Sequence, residues 1–476
     1  MSAPKFGKRL KALRRRLGLT QTAMAQRLGV SASYLNLIEH DQRNLSANLL
    51  LKLAQHFDLD LKSLVPGETV GLIADLREIF SDPVLQDHAV DEEELGELAT
   101  ASPETGRAIR HLYQEFLAAR ESSKLLAEQM QDRQDSTGVD RAELFSEQVS
   151  DLIQQQLNHF PDLEEKAERL WQEGELERDG LFRGLSSYLQ RQHQIRVRVV
   201  TVDRMDGAVR RFDRESGEVR ISEGLNYESR IFQLAHQIGL LECSDILERH
   251  AADSQLTSEA SRRLCRVALA NYFAGAVVMP YDPFLRAARG ERYDIELLCH
   301  RFRCSFEQVC HRFTTLRREG AQGVPFSMVR VDIAGNISKK FSLGDLHFPR
   351  FSGLCPLRNV HLAFMQPGQV RVQLSRLPDG QTFFSVARTV RKNRGGFHTP
   401  SVRYAIGLAC DVESARQLVY SDGIDLSQTE AAVPVGVTCR LCPRMDCESR
   451  AFPSIQRPLE VDETKRGLSF YAPVKN

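Results

Sequence analysis

Residues 20–39, TQTAMAQRLGVSASYLNLIE, set two short helical patterns on either side of Leu28-Gly29-Val30. Thr20 can cap the first helix, which leaves Gln21 at its exposed amino end. Ala25 and Leu28 then fall on one face. Gly29 can take the left-handed conformation that ends this helix, and Ser31 can cap the next. In the second helix Leu35 and Ile38 point inward, while Ser31, Ala32, Ser33, Tyr34 and Asn36 lie towards the exposed amino-terminal part. From Thr20 to Glu39 the pattern is a helix-turn-helix, a motif that presents small and polar side chains to a major groove of double-stranded DNA.

Over Lys5 to Val65 the chain resembles the phage-repressor (Cro/C1) type of DNA-binding head. A preceding helix from Pro4 to Leu17 would bury Phe6, Leu10, Leu13 and Leu17, with Lys8, Lys11, Arg14 and Arg15 opposite. A later helix begins near Ser46, and Pro66-Gly67 closes a domain of residues 1–66. The resemblance implies that Gln21 meets a phosphate and that Arg43 lies on the DNA backbone. Ser31, Ser33, Tyr34 and Asn36 then face bases, with Ala32 among them. Residues 1–65 carry eleven Lys or Arg against four Asp or Glu, within a chain of zero net charge. A basic head on an acidic body suits one end lying on phosphate. The amino terminus has no continuous apolar core and no run is long enough to span a membrane, so a cytoplasmic protein is expected; the resemblance implies a bacterial one, on the nucleoid when DNA-bound. Its ten cysteines are then expected as reduced thiols or metal ligands rather than a disulfide framework.

Residues 67–193 read as a helical linker and dimerisation region. From Ile109 a seam recurs at Leu112, Phe116, Ala119, Ser123, Leu126 and Met130, stepping by three and four. It fits a helix that pairs with a second copy, since two half-sites need two heads. It equally fits a helix packed in its own subunit. From Ile195 to Ile221 the period changes to two, and AVRRFDRESGEVRIS reads as a hairpin turning at Ser216-Gly217. Helical periodicity returns over Asn226 to Leu241 and Ser258 to Val278, then in shorter stretches from Tyr281, Ile295 and Phe306. Residues 321–476 read mostly as strands: SMVRVDI, VHLAFM, QVRVQLSRL, TFFSVARTV and YAIGLACDV, with a short helix near Ser414 to Tyr420. The expected architecture is multidomain and mainly α, with an α+β carboxy-terminal part.

Within residues 194–320, RIFQLAHQIGLL (230–241) and ANYFAGAVVMP (270–280) resemble the ImmA/IrrE peptidase-like domain. Active members carry HExxH on the first helix and a Glu four residues before the Asn that matches Asn271. Two His and that Glu hold zinc, and the Glu of HExxH is the general base. Here His236 remains, but the base position is Gln237, the second His is Leu240 and the later Glu is Val267. One imidazole cannot replace three ligands, and an amide cannot accept a proton from a metal-bound water. The reading is a non-enzymatic version of the fold, with Leu240 and Val267 filling the emptied site and His236 a satisfied core residue.

Cys439, Cys442 and Cys447 follow C-x2-C-x4-C spacing, which lets thiolates reach one ion from a tight turn. Cys355 is the best fourth candidate and Cys410 the second. Zinc and an iron–sulfur cluster both remain open, as does a metal-free loop. Arg388, Arg391, Lys392 and Arg394 lie beside Gly395-Gly396 and could hold phosphates of an anionic ligand, or form a solvated hairpin tip.

A Cro/C1 head, a degenerate peptidase-like middle and a tail reading CRLCPRMDCESRAFP together resemble the short-chain fatty acyl-CoA transcriptional regulators of bacteria. The resemblance implies a dimeric regulator of acetate or propionate genes that binds operator DNA and senses an acyl-CoA. The alternative is a redox- or iron-responsive regulator that senses through Cys355, Cys439, Cys442 and Cys447.

Overall fold

The computed structural model describes residues 10–11, 14, 19–40, 43, 49, 66–85, 88, 90–131, 141–343, 346, 348–349, 353–392, 398 and 401–454. The chain divides into two compact units, residues 1–136 with 349–351, and residues 137–348 with 352–476.

In the first unit the helix-turn-helix is α1 (Gln21–Leu28) and α2 (Ala32–Glu39). The Thr20 hydroxyl accepts from the Ala23 amide, and the Ser31 hydroxyl accepts from that of Tyr34. Gly29 sits at φ 67°, ψ 38° and turns the chain between them. Met24, Ala25, Leu28, Leu35 and Ile38 are buried together with Leu10 and Leu49. The expected helix around Pro4 to Leu17 and the one beginning at Ser46 lie largely outside the described residues.

Residues 66–131 form α3 (Pro66–Phe80), α4 (Glu92–Ala101) and α5 (Pro103–Gln131). Pro66 opens α3, as a residue without an amide hydrogen can. Leu72, Leu76, Ile79 and Leu95 make a small core that Ile109 and Tyr113 of α5 join. Two further seam residues turn away from it: Leu112 is 70% exposed and Phe116 37%. Ser123, Leu126 and Met130 have side chains outside the described residues.

The second unit starts with α6 (Arg141–Gln155), α7 (Pro161–Glu173) and α8 (Leu181–His193). These helices share one core with the middle of the chain and with the carboxy-terminal strands. A three-stranded sheet, in the order β1 (Arg196–Val200), β3 (Glu218–Ser222), β2 (Arg210–Asp213), follows. The hairpin turns where expected, with Gly217 at φ +60°. Then come α9 (Tyr227–Glu242), α10 (Ser244–Ala251), α11 (Glu259–Val278), α12 (Tyr281–Gly290), α13 (Ile295–Phe302) and α14 (Phe306–Thr314). Asn226, Ser258, Asp294 and Ser305 cap four of them, which is why their starts are legible in the sequence. A buried ion pair ties α7 to α14. Arg312 donates from Nη2 to Glu164 Oε2 at 2.8 Å, and the Tyr272 hydroxyl of α11 donates to Oε1 at 2.7 Å.

The carboxy-terminal strands are β4 (Ser327–Val331), β5 (Ile337–Phe341), β6 (Arg371–Arg376), β7 (Thr382–Lys392), β8 (Val402–Asp411) and β9 (Val433–Pro434). They form one sheet in the order β5-β4-β8-β7-β6-β9, antiparallel except where β9 joins β6. One face, with Phe384, Val386, Ile406 and Leu408, packs into the large core. VHLAFM is not a strand: it forms α15 (Asn359–Leu362) and a 3-10 turn over Ala363–Met365. Asn359 explains this, because its side-chain amide donates to the Arg371 and Ser385 carbonyls, so the segment crosses β6 and β7 instead of pairing with them. The expected Ser414 to Tyr420 helix is two short pieces, α16 (Val412–Ala415) and a 3-10 turn at Val419–Ser421.

Candidate nucleic-acid interface, cavity and thiol ring

On α2, Ser31, Ser33 and Asn36 are exposed, and Ala32 and Tyr34 are half-buried. Leu35, Ile38 and Glu39 face the core. Arg14 grips the Glu39 carboxylate with two nitrogens, Nε at 2.6 Å and Nη2 at 2.9 Å. Gln21 adds an amide bond to Glu39 at 2.9 Å and another to Asn36 Oδ1 at 3.1 Å. Burial opposes ionisation of Glu39, but these hydrogen bonds and the Arg14 charge hold its carboxyl below the usual range. Gln21 therefore fixes the side chain of Asn36 on the exposed face of α2. The Arg43 guanidinium lies over the Tyr34 ring, 5.2 Å from its centroid. Among the candidate DNA contacts, Gln21 is thus tied to Asn36 and to Glu39, and Arg43 to Tyr34.

At the degenerate peptidase position His236 and Gln237 are both buried. Val267 does not fill the emptied site: its side chain is 43% exposed, and Leu240 only packs at the core's margin. The group that meets His236 is Arg210 of β2, whose Nη1 lies 2.6 Å from Nδ1 and also donates to the Gln233 carbonyl at 3.1 Å. A guanidinium only donates, so Nδ1 accepts and the imidazole is neutral, with Nε2 bonded to the Val267 backbone. Burial, then the Arg210 charge, pushes His236 down to about 4 against that backbone bond, and burial lowers Arg210 to about 10. A cation already occupies the lone pair that a metal would need. In the sequence Arg210 belongs to a hairpin pattern, and nothing in the spacing ties it to His236.

Next to this position a cavity of about 1090 Å³ opens between the helices and the carboxy-terminal sheet. One wall belongs to α9, α11 and the loop before β2; it carries Ser229, Phe232, Gln233, Asn271 and Gly275, none of them charged. The other is basic. Arg330 of β4, Lys339 of β5 and Arg391 and Lys392 of β7 line it, against one carboxylate, Glu307. Glu307 pairs with Arg330 at 2.7 Å and Lys392 at 2.6 Å, and those cations hold it ionised although burial opposes this. Arg312 also reaches the wall, but Glu164 neutralises it.

Two of the four sequence-predicted phosphate ligands, Arg391 and Lys392, therefore border the cavity. Arg388 does not: it pairs with Glu296 at 2.8 Å and stacks on Phe306. Arg394 lies outside the described residues. Lys339 sits in β5 (ISKKF), which is short and polar and carries no period-2 apolar signal, and Arg330 sits in the expected strand SMVRVDI, where nothing local ties it to Arg391.

Cys355, Cys439, Cys442 and Cys447 ring one small cavity of about 10 Å³ with Arg444 and Arg450. Arg450 donates to the Cys439 and Cys442 carbonyls, both at 2.7 Å, and so fastens the loop. Burial raises the Cys442 thiol while Arg450 and Arg444 pull the other way. Cys410 is elsewhere, buried in β8 against the large core. Among the described residues no three His, Cys, Asp or Glu side chains converge closely enough to hold a single ion. No single described helix is long and apolar enough to cross a membrane.

Residues 315–471 match the family described as short-chain fatty acyl coenzyme A regulator, C-terminal. Residues 190–314 match the IrrE N-terminal-like domain and residues 10–64 a helix-turn-helix family. The chain is 37% identical over 474 residues, 99% of each protein, to the HTH-type transcriptional regulator RamB of Mycobacterium tuberculosis. It is 38% identical over 468 residues, 98% of each, to the propionyl-CoA carboxylase regulator of Cereibacter sphaeroides. To PrpR of M. tuberculosis it is 38% identical over 96% of this chain and 93% of that one. A solved structure of an M. tuberculosis transcriptional regulator superposes with a TM-score of 0.66 at 40% identity, covering 69% of this chain and 99% of the other.

Proposed function

This chain belongs to the short-chain fatty acyl coenzyme A regulators, helix-turn-helix transcriptional regulators of short-chain acyl metabolism, and we propose that it is a cytoplasmic homodimer that controls acetate or propionate genes in response to an acyl-CoA bound in the large cavity. The observation that carries the effector reading is the cavity's polarity. Coenzyme A has phosphates at one end and an uncharged pantetheine and acyl chain at the other. Four cations against one carboxylate suit the first, and the uncharged helical wall suits the second. At about 1090 Å³ the space exceeds the roughly 300–1,000 Å³ of a drug-sized site. The propionyl-CoA carboxylase regulator among the relatives supports a propionate-related role.

The exposed Leu112 and Phe116 on α5 support a helix that pairs with a second copy, which would place two copies of α2 on half-sites about one helical turn apart. Gln21, Ser31, Ala32, Ser33, Tyr34, Asn36 and Arg43 are the proposed contacts. Effector binding shifts DNA occupancy if the two arrangements of the heads bind acyl-CoA unequally. The peptidase-like part is proposed to do no chemistry, since Arg210 holds the one surviving ligand. Fluorescence anisotropy on DNA from upstream of the gene, at fixed salt, tests the whole reading. A shift with propionyl- or acetyl-CoA but not with free CoA supports it; specific binding indifferent to all three sinks acyl-CoA sensing at that operator.

A second reading rests on the thiol ring. Four thiols with two arginines beside them are a soft, anion-tolerant donor set, fit for zinc or an iron–sulfur cluster. What supports this reading is that the four thiols, one of them distant in sequence from the rest, border one small cavity. Cys355, Cys439, Cys442 and Cys447 would be the ligands, and the group would supply sensitivity to iron or oxidant. Metal content and a visible absorption band in anaerobically purified protein separate cluster, zinc and empty thiols.

A further inference from the structure

Three glycines in the interior of helices of the second unit can be compared. A side chain at Gly239 of α9 would run into the Phe273 ring, with a Cβ only 2.7 Å from it, and one at Gly184 of α8 would meet Leu176 at 2.9 Å. Packing explains both. Gly275 of α11 is different: a Cβ there has nothing within 4 Å. Glycine in a helix interior is unfavourable because it gives up the most backbone freedom on folding, so an uncrowded one lacks a structural reason.

What Gly275 faces is the cavity. Asn271 and Gly275 of α11 and Met279, the residue that caps its carboxy end, follow each other at steps of four, and all three line it. They are on the uncharged wall, opposite Arg330, Lys339, Arg391 and Lys392. A ligand whose phosphates are held by that basic wall directs its uncharged end towards α11. At Gly275 the bare backbone leaves room that any side chain would take.

Resting on the proposal that the cavity takes an acyl-CoA, we infer that Gly275 determines which acyl chains are accepted, by leaving open the space into which the thioester-linked chain extends. The class of ligand is a coenzyme A thioester with a short unbranched acyl group. Alanine at 275 removes the volume of one methyl group and leucine that of a short chain, so the variants should trim the accepted length in steps.

The test is calorimetric titration of the full-length protein with free CoA and with acetyl-, propionyl-, butyryl- and hexanoyl-CoA, for wild type, Gly275→Ala and Gly275→Leu. Circular dichroism melting checks folding, and alanine in a helix should not lower the thermal midpoint. The expected result is free CoA bound within about twofold of wild type by both variants. The longest acyl-CoA that wild type accepts should weaken more than about tenfold in Gly275→Leu, and by less in Gly275→Ala. Equal loss for free CoA and every thioester, or no change for any, overturns the role of Gly275 while leaving the cavity's function standing. Wild type that binds none of the five overturns both.

Discussion

Lowering the pH should destabilise the second unit through His236, and the size follows from its surroundings. The imidazole is neutral when folded, with its pKa pushed down to about 4 by burial and by Arg210, against about 6.5 in an unfolded chain. Between those values the unfolded state binds more protons, so stability rises with pH through the window and is fully present only above about 6.5. A gap of about 2.5 units at 1.36 kcal/mol each bounds the effect near 3 kcal/mol, of which about 2 is lost between pH 7 and pH 5. Trp171 is the chain's single tryptophan, and its indole donates to the Val277 carbonyl at 2.8 Å. Its fluorescence therefore reports the unit that holds His236. Urea midpoints for wild type and His236→Gln at pH 7, 6 and 5 isolate the term, because His159 and His311, also pushed down by burial, titrate in both. Glutamine can accept from Arg210 and donate to the Val267 carbonyl without titrating. The two proteins should differ in pH slope by about 2 kcal/mol over this range. Parallel curves would refute the neutral, arginine-capped imidazole.

Glu39→Ala should destabilise the head by about 3 kcal/mol, since it leaves Arg14 without its buried partner; a thermal melt of the variant and of the Arg14→Met, Glu39→Ala pair checks this, with the pair expected to recover part of the loss. Asn36→Ala should cost roughly 1–3 kcal/mol at one operator position if Asn36 reads a base, and equal weakening on all sequences contradicts it. Arg391→Ala should weaken CoA binding about tenfold, or about 1.4 kcal/mol, without reordering the acyl-CoAs. Cys447→Ser should abolish metal content measured by elemental analysis while leaving the urea midpoint reported by Trp171 near that of wild type; unchanged metal, or none in wild type, removes the second reading.

The sequence was most readable where local chemistry decides structure. Thr20, Gly29 and Ser31 are caps and a corner whose roles depend on neighbours within four residues, and Asn226, Ser258 and Ser305 start helices for the same reason. The thiol ring was legible in its spacing, and even Cys355, more than eighty positions upstream, was nameable because the other three lacked a fourth. Legibility failed where the partner is distant and the residue type is common. Arg210 reaches His236 across a sheet edge, Glu307 gathers Arg330 and Lys392 from two strands, and no periodicity marks either. VHLAFM looks like a strand because its apolar content is high. The deciding contacts are those of Asn359 with the Arg371 and Ser385 carbonyls, both at least a dozen residues away.

A zinc site keeps a position open for water, with a carboxylate base beside it, and both would be poor company for the anionic thioester proposed as ligand. At His236 the lone pair is spoken for by a guanidinium, and the base position, Gln237, is a buried amide. The wall that remains offers Asn226, Ser229, Gln233 and Asn271, which can hydrogen-bond an amide-rich pantetheine and cannot activate water. The charge needed for phosphates comes from the opposite side, from strands β4, β5 and β7 that a peptidase-like fold alone does not contain. Each wall therefore lacks what the other supplies. A ligand that spans them would be recognised only by the two together, which makes the cavity one site of the whole second unit rather than a relic of the peptidase-like part.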